Sequence, residues 1–194
     1  MEESSCMKTP DKTMSLKKKV ITSFLVLLLG VVLGVFSKWL DNLSINDTVW
    51  WQHIIGVLDL GNVFSELNIW LLIALAISIF SSTPARAGLN VFLFFLGMTT
   101  SYHLYTIHFS GFNPQRYMMI WYGMTLISPI LAFICWHIRG RNKISVFISS
   151  LIVCVMFILS FNGDFGYFDA RRMVDLAIFV GTILVLYIGM KDET

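Results

Sequence analysis

The sequence predicts an all-α fold, a polytopic membrane helical bundle with six transmembrane helices, and three observations carry the prediction. First, 56% of the 194 residues are hydrophobic and 13% are charged, where soluble domains average roughly 25% charged. Second, the apolar residues form long unbroken runs. These match the about 20 residues that a helix needs to cross a bilayer, and they are unlike the short alternating strands of an outer-membrane barrel. Third, the basic residues fall unevenly between the two sides that such runs define.

The first span is VITSFLVLLLGVVLGVFSKWL, Val20 to Leu40. Gly30 and Gly34 share one of its faces in small-xxx-small spacing, which lets another backbone approach closely and marks a candidate contact with a membrane-protein partner. The second span begins near Val63 or Asn68 and ends at Ser82, and the third runs from about Ala87 to Phe109. The fourth covers Tyr117 to His137, with a kink expected at Pro129 because proline removes a backbone donor and clashes with the preceding turn. Ile144 to Phe161 and Met173 to Met190 complete the set.

Six spans put both termini on one side. That side receives ten of the 14 Lys and Arg residues, among them Lys17, Lys18, Lys19 and Arg86; the other receives Lys38, Arg116, Arg171 and Arg172. Basic residues accumulate in cytoplasmic loops, so both termini are expected in the cytoplasm of a multi-pass cell-membrane protein. The lysine triplet resembles the basic flank of a signal peptide, but the apolar run behind it is longer than an h-region and no small-residue cleavage site follows. A retained helix is therefore expected. Residues 1–16, MEESSCMKTPDKTMSL, are too polar to bury a core and read as a flexible cytoplasmic tail, which leaves 17–194 as a single transmembrane domain. Cys135 and Cys154 fall within spans without a CxxC pair and read as small structural hydrophobes.

Polar chemistry collects on the external side. The loop DNLSINDTVWWQHIIGVLDLGNVFSELN is long enough to hold a helix, and its apolar residues are interrupted by Gln52, His53 and Asp59, as in a helix lying in the interface. Trp50 and Trp51 then either anchor at headgroup level or close over a pocket as an aromatic lid.

The third span ends in MTTSYHLYTIHF. At about 1.5 Å per residue from Ala87, His103 lies roughly 24 Å along a core about 30 Å thick. Thr99, His103, Thr106 and Ser110 form one stripe, and Ser101, Tyr105 and His108 form another on nearly the opposite face. Neither stripe can face lipid cheaply, so this helix is expected at the centre of the bundle. His103 is either a hydrogen-bond partner for a neighbouring helix or a lining residue of an outward-facing cavity.

Other segments aim polar groups at the same depth. The candidate ligand-binding set is Lys38 and Asp41 from the first span, three apart and able to pair; Trp51, His53 and Asp59 from the first loop; His103, Tyr105 and His108 from the third span; Arg116 and Trp121 from the fourth; and Asp164 and Arg171 from FNGDFGYFDARRMVD. In that last stretch Asp169 also suits a helix cap.

No HExxH, GxSxG or P-loop accompanies these residues, so neither enzymatic activity nor a cofactor is expected. The histidines lack metal-ligand spacing, although His53, Asp59, Glu66 and His103 come from segments able to meet in space; no metal is expected. No soluble domain is present to bind nucleotide or nucleic acid. Energy coupling, if any, comes from an ion gradient or a partner.

The stretch NIWLLIALAISIFSSTPARAGLNVFLFFLGMTTSYHLYT, with RYMMIWYGMTLISPILAFICWHIRG, resembles an uncharacterised bacterial family of small polytopic membrane proteins. The shared arrangement is a span opening on an aromatic residue, a short loop with proline and Arg86 before a small residue, and a span closing on a Ser-Tyr element. The resemblance implies a bacterial cytoplasmic membrane and carries no function. A second similarity is to the substrate-binding S components of energy-coupling-factor transporters: comparable length, six spans, termini inside, small residues in the first span and a long first external loop. It implies an outward-facing site for a small solute. Two functions follow as expectations: a solute-binding or transport subunit with its site at the external mouth, or a noncatalytic accessory, immunity or assembly subunit that binds another membrane protein.

Overall fold

The computed structural model describes residues 15–111, 113–139, 142–161 and 169–191; nearly all of the expected tail, and Asp164, lie outside them. Among the described residues there are eight helices and no strand. They are α1 (Leu16–Asp41), α2 (Trp50–Val57), α3 (Leu60–Ser65), α4 (Leu67–Ile79), α5 (Pro84–Phe109), α6 (Gln115–Trp136), α7 (Lys143–Phe161) and α8 (Ala170–Lys191). Four of them, α1, α6, α7 and α8, are long and apolar enough to cross a membrane. The outward faces are apolar, with Phe24 and Leu28 on α1, Leu126 and Ile130 on α6, Phe147 and Leu151 on α7 and Leu184 on α8 all exposed, while serine, threonine and asparagine fill much of the interior. A surface of that kind suits lipid, where polar groups turn inward to find partners.

Of the two starts expected for the second span, the structure fits Asn68, next to the first residue of α4, and not Val63, which lies in the separate helix α3. The apolar run is broken at Glu66, whose extended backbone (φ −86°, ψ 160°) ends α3 and starts the 13-residue α4. Thirteen residues rise only about 20 Å, short of the about 30 Å hydrocarbon core. The break strands the carbonyl of Phe64, and two side chains recover it: Trp70 Nε1 donates at 2.8 Å and Ser37 Oγ at 3.2 Å. Irregular backbone is tolerated at such depth only when protein groups replace the lost partners in this way.

Helix α5 sits between α1 and α6 and carries polar groups into both contacts, as its two stripes predict. Towards α1, Ser101 Oγ donates to the Val31 carbonyl at 3.1 Å; towards α6, Thr99 Oγ1 lies 3.3 Å from Thr125 Oγ1. Its start is fixed by Thr83, which accepts from the Arg86 amide, and by Pro84 in the first turn. Pro129 lies inside α6, and its carbonyl and ring pack on Gly88.

The glycine face of α1 corrects one expectation. Gly30 and Gly34 are covered by this chain's own α5 rather than left open to a partner protein. A Cβ on Gly30 would stand 2.2 Å from the Phe94 carbonyl oxygen, and one on Gly34 would stand 2.4 Å from that of Met98. Gly97 returns the contact from α5, where a Cβ would reach 2.6 Å from the Leu27 oxygen. These helices approach at backbone distance because neither carries side chains there.

At the opposite end of the bundle Arg86 Nη2 donates to the Lys19 carbonyl at 2.9 Å, and Ser23 Oγ donates to Asn90 Oδ1 at 2.9 Å. These bonds hold the start of α1 to the start of α5. Gly30→Val drives a branched side chain into the Phe94 carbonyl and is expected to cost about 1–3 kcal/mol or more. Gly123→Ala, whose Cβ would meet nothing within 4 Å, is expected to be neutral or stabilising by up to about 1 kcal/mol. Detergent melting curves of both variants against wild type check the pair.

Candidate functional site

The C-terminal ends of α1, α5 and α7 and the N-terminal ends of α4, α6 and α8 gather at one end of the bundle, joined by side-chain bonds. The sequence places its candidate residues at this end, and the structure divides them into three groups.

One group centres on Asp41. Its Oδ2 accepts from Tyr102 OH at 2.7 Å and lies 3.4 Å from Lys38 Nζ, while its Oδ1 accepts from Ser65 Oγ at 2.7 Å. The Lys38 ammonium also lies 5.2 Å from the centre of the Tyr102 ring. The expected pairing of Lys38 with Asp41 is present, and Asp41 ties α1 to α3 and α5. Beside it, Trp121 lines a narrow, almost filled gap with Phe64, Trp70 and Tyr102.

A second group centres on His103. Nε2 lies 3.1 Å from Asn113 Oδ1 and Nδ1 lies 3.1 Å from Tyr122 OH. Because the amide oxygen only accepts, the tautomer with the proton on Nε2 satisfies both nitrogens, leaving Nδ1 to accept from the phenol. Both nitrogens are thus engaged by α6 and its preceding loop. Tyr105 packs on Phe109 with ring centres 4.7 Å apart, and His108 and Arg116 are exposed. On α2, Trp51 stacks on Trp39 of α1 at 6.4 Å, and His53 lies 3.6 Å from Asp47 on the surface.

The third group has a cavity. Arg171, in the first turn of α8, donates through Nη1 to Asp59 Oδ2 at 2.7 Å and through Nη2 to Glu66 Oε1. Asp59 sits in the left-handed region (φ 51°), a conformation that aspartate tolerates better than most residues, and it also accepts from Asn62 Nδ2 at 2.9 Å. Arg171 thus clamps α8 to both ends of α3. Next to it opens a cavity of about 660 Å³ between the ends of α4, α7 and α8. Glu66, Asn68, Ser160, Asp169, Arg172 and Asp175 carry its polar wall.

Several of these groups have partners. Asp169 Oδ1 accepts from the Ala170 amide at 2.6 Å, the cap expected of it; Asn68 Nδ2 donates to the Leu159 carbonyl at 3.3 Å, and Arg172 Nη1 to that of Phe161 at 3.3 Å. Two do not. Among the described residues, Ser160 Oγ and Asp175 Oδ1 are buried without a hydrogen-bond partner. Of the candidate set, Arg171 lines this cavity and Asp59 reaches it only through Arg171; Glu66, Ser160, Arg172 and Asp175 are the further ionisable or hydroxyl side chains on its wall besides Asp169. The four residues weighed as metal ligands do not meet: Asp59 and Glu66 share Arg171, whereas His53 and His103 stand with Asp47 and Tyr122.

The chain matches no family model, no curated protein and no solved structure. Arg171→Met leaves two carboxylates facing each other and is expected to lower stability by about 1–2 kcal/mol, discounted for partial exposure. Glu66→Gln should cost less, and the double variant should lose less than the sum of the singles, since the two residues share one interaction. Chemical unfolding in detergent reads the cycle; strictly additive losses would show that the clamp carries no coupling.

Proposed function

We propose that this is a multi-pass membrane protein that binds a small polar solute in the cavity between α4, α7 and α8, as a binding or transport subunit. In this reading α1, the broken pair α3 and α4, and α5 to α8 make six crossings, with both chain ends in the cytoplasm and α2 lying at the external interface. The ten-to-four asymmetry of basic residues supports that orientation, because Arg171 and Arg172 then fall on the external side with the cavity.

One observation carries the binding reading. A cavity of about 660 Å³ has a wall of charged and amide side chains in which two buried polar atoms lack partners. Buried polar groups are nearly always satisfied in a finished interior, so an unsatisfied pair on residues that line a cavity supports a ligand site there. The break at Glu66 supports the same reading, because transporter sites are commonly built where a membrane helix is interrupted.

A second reading, an accessory subunit for another membrane protein, is favoured by a different place. Helices α6 and α7 barely touch, and an apolar cleft of about 240 Å³ opens between them over Leu75, Phe95 and Ala132.

A ligand present at about 100 times its Kd stabilises the folded state by about 2.7 kcal/mol. The low-mass fraction of a membrane-free cell extract should therefore raise the melting temperature of purified protein in detergent by several degrees. Ser160→Leu, which fills the cavity, should remove that response while the protein stays folded. An identical response in Ser160→Leu would sink the cavity as the site.

A further inference from the structure

We infer that the solute carries an ammonium group, seated on Asp175 and Ser160. The inference rests on the solute-binding reading above and names the chemistry of its ligand. It follows from removing every polar group that the protein already satisfies. Arg171 is shared between Asp59 and Glu66. Asp169 accepts from the Ala170 amide and so offsets the positive end of α8. Arg172 donates to the Phe161 carbonyl. Among the described residues, the fully buried polar atoms of the wall left without a partner are the Oδ1 atom of Asp175 and the Oγ atom of Ser160. Those two residues are 4% and 2% exposed, both line the cavity, and no cation stands within ion-pair distance of Asp175 among the described residues.

The charge of the wall points the same way. Three carboxylates, those of Glu66, Asp169 and Asp175, line the cavity with two guanidinium groups, those of Arg171 and Arg172, an excess of one negative charge. An anion drawn to Arg172 or to the helix ends would enter against that excess and leave Asp175 Oδ1 buried and unpaired. A bare divalent cation needs six or more oxygens, and no group of three or more carboxylate, histidine or cysteine side chains able to hold a metal occurs among the described residues. An ammonium group has three donors and no acceptor, so it satisfies the carboxylate and the hydroxyl together. The cavity volume leaves room for the rest of a small organic molecule.

The test is ligand-dependent melting of the full chain in detergent, titrated with 1,4-diaminobutane, 4-aminobutyrate, butyrate and inorganic phosphate. The first two carry ammonium groups, without and with a carboxylate, and one or both should raise the melting temperature; butyrate and phosphate should not. Asp175→Asn should weaken the apparent affinity by about tenfold or more, the scale of about 1.4 kcal/mol for a lost charged hydrogen bond. Ser160→Ala, a milder change, should weaken it less and serves if Asp175→Asn does not fold. Stabilisation by butyrate or phosphate alone, or an unchanged response in Asp175→Asn, overturns the inference. If no ammonium compound acts but the low-mass extract still stabilises the protein, the ammonium assignment fails and the solute-binding reading stands.

Discussion

The pairing of Arg171 with Asp59 and Glu66 is the interaction on which the rest of this end of the bundle depends. A guanidinium that leaves bulk water needs anionic partners with good geometry, and here both come from residues that bracket the short helix α3. Holding them fixes where α3 stops. Glu66 turns extended, α4 starts a residue later, and the stranded Phe64 carbonyl is taken up by Trp70 and Ser37. Because α4 is short, the ends of α7 and α8 are left apart above it, and the cavity occupies that gap. Clamp, helix break and cavity are thus one structural fact seen at three places.

The other half of the molecule follows a different rule. Between α1 and α5 the contact is made by absence of side chains, with Gly30, Gly34 and Gly97 admitting the facing backbone. Serine and threonine hydroxyls then bond to nearby carbonyls across and along the helices, as Ser101 does with Val31. In hydrocarbon such bonds average only about 0.6 kcal/mol, so close packing carries the contact and the hydroxyls fix its register. The polar end of α5 belongs to this architecture: Thr99, Tyr102 and His103 reach Thr125, Asp41 and Tyr122, and each bond joins α5 to a neighbour.

Local patterns in the sequence foretell the helices well. Five of the expected spans lie inside α1, α5, α6, α7 and α8 with ends shifted by a few residues, since long apolar runs leave little choice; His137, the last residue of the fourth span, falls just beyond α6. Thr83 and Asp169 stand out as caps, and Lys38 and Asp41 as a pair, because their partners are close in sequence. The sequence leaves the start of the second span open between Val63 and Asn68, because the apolar residues LGNVF and NIWLL lie on both sides of Glu66. The residue that pairs with Glu66 at the break is Arg171, more than a hundred positions away, and no local pattern encodes that distance. Asp175 had a signal, a lone carboxylate in the apolar stretch MVDLAIFV, whereas Ser160 looks like any serine in a membrane helix.

On the proposed function, the cavity beside Arg171 opens to water on the external side of the membrane. Asp169→Cys, in a background with Cys6, Cys135 and Cys154 replaced by alanine, puts an exposed thiol on its wall. The account predicts that a membrane-impermeant thiol reagent added outside intact cells modifies this cysteine. A thiol that reacts only after permeabilisation, or that stays unreactive even then, would contradict it.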